Sequence, residues 1–180
     1  MFTSLFWQPD TRAGLSEIDW MLDATSATSV YQYTLSGLGR SQQTQVAVPE
    51  GRLIIERESE EPAWFPAILR VVGELLNLPE NWDSYGARRI NPAAVAFALQ
   101  LLSDTMRPET PAPAVVPTSG GSIQLEWHTR GIDLEIEIKS PGRLYVSYED
   151  HRHGVEWEGE LTSDLTRLSD FIVEFSRHGR

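Results

Sequence analysis

The chain has 180 residues, 26 of them acidic and 15 basic, for a formal charge of −11 with histidine neutral. Hydrophobic residues make up 41 % and include six Trp, six Phe and five Tyr, so a packed core is within reach and a disordered chain is excluded. No stretch reaches the roughly 18 consecutive apolar residues of a bilayer-spanning helix, and the absence of cysteine removes disulfides, thiolate metal sites and cysteine nucleophiles.

Residues 1–60 read as an N-terminal arm or subdomain, and residues 61–180 as an α+β core domain. Their net charges of −4 and −7 show that the acidity is shared and not gathered in a tail. Met1–Asp10 lacks the basic flank and apolar run of a secretory signal, which predicts a soluble, cytoplasmic protein. Ser16 can cap a short helix through Ala24, with Leu15, Ile18, Met21 and Leu22 on one side. Thr28–Ser36 predicts a strand, because Tyr31, Tyr33 and Leu35 alternate with Gln32 and Thr34, and Gly37-Leu38-Gly39 breaks it. Thr44–Val48 and Arg52–Arg57 predict two more strands around the turn Pro49-Glu50-Gly51, and the solvated run Glu56–Glu61 closes this region.

Beyond it, Pro62 and Pro66 bracket the start of a helix to about Leu78. Phe65, Ile68, Leu69, Val72, Leu75 and Leu76 form its apolar stripe, and Pro79 stops it. Gly73 within that helix costs about 1 kcal/mol relative to Ala, which points to close packing there. A second helix starts with Asn91 as N-cap and Pro92 as first helical residue, and runs to about Met106. Val95, Phe97, Ala98, Leu99, Leu101, Leu102 and Met106 cover so much of its surface that it should be nearly buried. The proline-rich stretch Arg107–Pro117 predicts an extended connector.

Four strands with period-two alternation follow: Ile123–His128, Ile132–Lys139, Leu144–Tyr148 and Val155–Glu158. Their short connections force an antiparallel meander. Thr162 or Ser163 then caps a last helix with Leu165, Leu168, Phe171, Ile172 and Phe175 inward, closed by Gly179. The predicted core is therefore a four-stranded antiparallel meander whose apolar face is packed by about three helices in two layers.

The polar face of that meander carries Glu126, Asp133, Glu135, Glu137, Glu156 and Glu158. Neighbouring carboxylates repel, so such a face needs solvent, a cation or a basic partner. Asp133, Glu137 and Lys139 have the spacing of some metal-dependent nucleases, and Glu135 lies between the two acids. The same spacing arises in any alternating strand, and the net charge opposes contact with a phosphate backbone. His151 and His153 flank a turn and with Glu149 offer two or three metal ligands, although no further partner is apparent; the other histidines are His128 and His178. Gly37–Gln42 begins like a dinucleotide loop but lacks the third glycine and the following helix. Thr118–Ser122 reads as a plain turn ahead of an anion cradle.

Asn81-Trp82-Asp83-Ser84-Tyr85-Gly86-Ala87 is the most distinctive stretch. Asn81 and Asp83 can cap local N–H groups, Gly86 can take positive φ, and Trp82 and Tyr85 supply two amphipathic rings. It reads as a pinned corner between helices. The competing reading is a recognition loop in which Trp82 and Tyr85 stack and Asp83 bonds a ligand or partner.

This segment, followed by Pro113–Thr118, by Gly121–Trp127 and by Leu-Glu-Ile-Glu-Ile, resembles a group of small uncharacterised prokaryotic proteins across roughly residues 65–160. The resemblance implies a bacterial origin and a shared fold, and no activity.

No set of residues reads as catalytic, and no cofactor is expected. The expectation is a non-enzymatic, acidic interaction module for a basic protein partner, without direct nucleic-acid or membrane contact; it could also self-associate. A toxin-neutralising antitoxin or defence-system accessory fits, because proteins acting on nucleic acids are often basic. The alternatives are a divalent-metal nuclease or hydrolase on the acidic face and a small-ligand sensor at Trp82 and Tyr85.

Overall fold

The computed structural model describes residues 2–9, 34–36, 41–48, 51–57, 61–107, 110–129, 131–162 and 165–177. The predicted helix at Ser16–Ala24, the glycine turn at 37–39, Ser163, His178 and Gly179 lie outside them.

Four strands form the first sheet: β1 (Phe2–Pro9), β2 (Thr34–Ser36), β3 (Ser41–Val48) and β4 (Gly51–Arg57). They run antiparallel in the order β1-β4-β3-β2. Ser41 opens a strand, so no helix follows the glycine pair as a dinucleotide loop requires. Five strands form the second sheet: β5 (Ala114–Pro117), β6 (Ile123–Thr129), β7 (Ile132–Ser140), β8 (Arg143–Asp150) and β9 (Val155–Leu161), an antiparallel meander in chain order. The predicted meander had four strands. The correction is β5, which pairs with β6 from Ala114↔Glu126 to Pro117↔Ile123 within the supposed connector. Its one proline, Pro117, is tolerated because the strand lies at the sheet edge.

Three helices, α1 (Phe65–Leu76), α2 (Pro92–Thr105) and α3 (Thr166–Arg177), complete the α+β fold. Helix α1 ends two residues short of the prediction because Asn77 turns its amide back to the Gly73 carbonyl at 2.7 Å. Asn91 caps α2 as expected, accepting the Ala93 N–H at 2.9 Å ahead of Pro92. Helix α3 starts at Thr166, so neither Thr162 nor Ser163 directly precedes it, and its start follows Leu165, whose carbonyl accepts the Ser169 N–H.

Helix α2 explains the layering. Ala94, Val95, Ala96, Ala98, Leu99, Leu101 and Leu102 are buried around most of its circumference, which only a helix enclosed on two sides can achieve. It packs on β1 on one side and β7 on the other, while α1 packs on β3 and β5. Helices α1 and α2 thus lie between two sheets, and the two-layer expectation gives way to a sheet–helix–sheet stack. Val46, Leu53 and Ile55 of the first sheet share one buried cluster with the helices and the inner face of the second sheet. Helix α3 covers the β8–β9 end, where Phe171 stacks on Tyr148 at 4.1 Å and tilts against Trp157 at 5.6 Å.

Alternation along the second sheet separates its faces. Ile123, Leu125, Trp127, Leu134, Ile136, Ile138, Leu144 and Val146 are all buried inward. Every intervening residue of the central strands faces outward.

Candidate functional site

Register organises the outward side chains into three rows across the sheet. The first runs Gln124, Glu137, Tyr145, Glu160; the second Glu126, Glu135, Ser147, Glu158; the third His128, Asp133, Glu149, Glu156. Successive rows are two residues, about 7 Å, apart along each strand. All six acidic residues expected on this face are on it, joined by Glu149 and Glu160. Permanent cations are few: Lys139 lies 3.8 Å from Glu160 and 3.9 Å from Glu137, and Arg143 lies 3.2 Å from Glu160.

Small neutral donors hold three of these eight carboxylates. Ser122 donates its hydroxyl to Glu137 at 2.7 Å, Gln124 its amide to Glu135 at 2.8 Å, and Tyr145 its hydroxyl to Glu158. The last bond raises the Tyr145 pKa above its ordinary value, because it fixes the proton beside an anion. The Glu156 carboxylate has no hydrogen-bond or ion-pair partner among the described residues. Around it, Ser147, Tyr148, Glu149, Trp157 and Glu158 complete a shallow depression of about 250 Å³.

The third row ends in a histidine corner. His128 Nδ1 lies 3.0 Å from one oxygen of Asp133 and His151 Nε2 lies 2.6 Å from the other. His128 also approaches Glu126 at 3.5 Å, and His151 Nδ1 approaches Glu149 at 3.0 Å. The hydrogen bonds to Asp133 are the main cause that raises both imidazoles above their ordinary value and lowers Asp133 below its own. Asp133, Glu149 and His151 offer ligand atoms within 4.8 Å of one another and are the described residues that could hold a metal ion.

His151 and His153, which the turn could have offered to one metal, do not converge. His153 turns away to Asp150 at 2.8 Å, which also receives the Arg152 guanidinium through two 3.0 Å bonds. Arg152, ahead of His153, holds the Asp150 carboxyl well below the usual range. Gly131 admits this arrangement, since a side chain there would meet the Arg152 stem at 3.0 Å. Asp133 supplies the third partner that the spacing of Glu149, His151 and His153 lacked. Nor do Asp133 and Glu137 meet: they are four residues, about 13 Å, apart on one strand, and Lys139 lies beside Glu137 and Glu160, away from Asp133.

The loop before α2 is pinned throughout. Asp83 accepts the N–H groups of Tyr85 at 2.7 Å and Ala87 at 3.0 Å, which lowers its pKa. Asn81 accepts Gly86 N–H at 2.7 Å, and Trp82 donates its indole N–H to the Arg88 carbonyl at 3.2 Å. Trp82 is half-buried, whereas Tyr85 is 93 % exposed. The turn at Thr118–Ser122 closes on itself, with Gly121 N–H bonded to Thr118 and Thr118 N–H to Ser122.

No helix among the described residues is long and apolar enough to cross a membrane. The chain matches no protein-family model, and neither curated proteins nor solved structures give a significant match to it.

Proposed function

We propose that this protein is a non-enzymatic interaction module that docks a basic protein on the acidic face of its second sheet. The observation that carries the reading is the depression around Glu156. Three carboxylates, Glu149, Glu156 and Glu158, rim this shallow, open depression, and their charge suits a guanidinium or ammonium group. The eight carboxylates of the face would speed encounter with a cationic partner and align it. A toxin or defence-system enzyme that itself grips nucleic acid is the partner class best matched to that charge, in a bacterial cytoplasm.

The test is calorimetric titration of the full chain with an octa-arginine peptide at two salt concentrations. Binding that weakens with salt and is lost in Glu149→Lys/Glu156→Lys/Glu158→Lys supports the reading. Equal binding by the charge-reversed protein refutes it.

A second reading, metal-assisted hydrolysis, draws on the convergence of Asp133, Glu149 and His151. A rise in Tm with Mn²⁺ or Zn²⁺, abolished by Asp133→Asn, would favour it over docking.

A further inference from the structure

The two edges of the second sheet differ in kind. Edge strand β5 has four residues, ends in Pro117, follows Pro111 and Pro113, and has α1 beside it. Proline has no N–H to offer an added strand, so that edge is closed to further pairing. Edge strand β9 has seven residues and no proline. Apart from its ladder to β8, no backbone group of Val155–Leu161 bonds another element among the described residues. Every second N–H and C=O of β9 therefore points outward from the sheet.

The side chains along this free edge also form a pattern. Glu156, Glu158 and Glu160 are exposed on the outer face. On the other face, Val155 is 49 % exposed and Trp157 is half-buried, its ring lying over Gly159, where an added Cβ would come within 3.0 Å of it. An extended segment beside β9 would thus meet carboxylates on one face and, on the other, Val155 and the edge of the Trp157 ring, which Phe171 and the Arg167 guanidinium of α3 approach from within. A second copy of β9 would bring its own glutamates against these and be repelled.

We infer that β9 is a strand-addition site for a basic partner: an extended segment alternating arginine or lysine with apolar residues joins the sheet as a sixth strand. Main-chain bonds to β9 supply attachment, and the alternating side chains supply selection. The inference deepens the docking function proposed above and rests on it.

The probe is a capped seven-residue peptide, four arginines alternating with three valines, titrated calorimetrically into the full chain. One comparator has the same composition with the arginines in a block. Two others carry N-methyl groups on either the arginine or the valine amides. The alternating peptide should bind at least ~10-fold more tightly than the block peptide, and only one of the two N-methyl sets should lose that affinity, since alternate amides face the edge. Amide exchange along Val155–Leu161 should slow in the complex. In Glu156→Lys/Glu158→Lys/Glu160→Lys the preference should pass to a glutamate–valine peptide. If all four arginine peptides bind alike, strand addition is overturned while docking by charge stands. If none binds, both fall.

Discussion

The two faces of the second sheet are built from the same strands, one residue out of step, and obey different rules. On the inner face of the central strands the side chains from Ile123 to Val146 are apolar and buried, so their value lies in volume and in water excluded. On the outer face each carboxylate is reachable by solvent, and Glu135, Glu137 and Glu158 are each steadied by one small neutral donor nearby. The contrast teaches that stability and recognition are divided by the pleat.

The largest expected effect lies inward. Ile136→Ala should cost about 3 kcal/mol in urea unfolding, because a fully buried branched side chain leaves a cavity. Its outward neighbour changed by Glu135→Ala should shift stability by less than about 0.5 kcal/mol. Equal losses would erase the distinction between the faces. Next comes the corner joining them, where Asp150 is buried and gathers Arg152 and His153. Asp150→Ala should cost about 2 kcal/mol by the same measurement, since it removes charged hydrogen bonds at a covered position.

A smaller effect separates the pinned loop from the ring it carries. Asn81 sits at φ 62° and holds the Gly86 N–H, so Asn81→Ala should cost about 1 kcal/mol. Tyr85→Ala should change thermal unfolding by less than about 0.5 kcal/mol, as befits a side chain that packs on almost nothing.

The smallest effect is the histidine corner. His128 and His151 gain Asp133 on folding and hold protons above the ordinary value of 6.5. The stability they contribute is present in full below about pH 6.5 and fades as pH rises through the folded values. Asp133 works in the opposite sense: its contribution is present above the ordinary 3.8 and is lost as acid protonates it. His128→Gln should therefore destabilise more at pH 5.5 than at pH 8.5, and NMR titration should place both imidazoles above 6.5. A pH-independent cost would remove the charged bonds from the description.

Much of this was legible in the chain, for identifiable reasons. A period of two assigns Ile132, Leu134, Ile136 and Ile138 to one side and Asp133, Glu135 and Glu137 to the other whatever the strand pairs with. Asn91-Pro92 marks a helix start by local chemistry alone. Strand β5 was hidden because Pro113 and Pro117 argue against a strand until its edge position is known. Strand β1 went unread because its Phe-Thr-Ser-Leu-Phe-Trp run lacks clean alternation, and its register slips between Phe2 and Ser4. The histidine corner depends on register: His128 meets Asp133 across one ladder and His151 returns to it from a turn beyond the next strand. Sequence spacing places His151 near His153, yet the turn sends them to different carboxylates.

Backbone amide shift mapping of the full chain during titration with an arginine-rich peptide tests the central claim most directly. Shifts concentrated on the outward residues Ser147, Glu149, Glu156 and Glu158, with little change at Asn81–Ala87, are the predicted result. Shifts centred on Tyr85, or spread evenly over the chain with no focus on β8 and β9, would contradict the account.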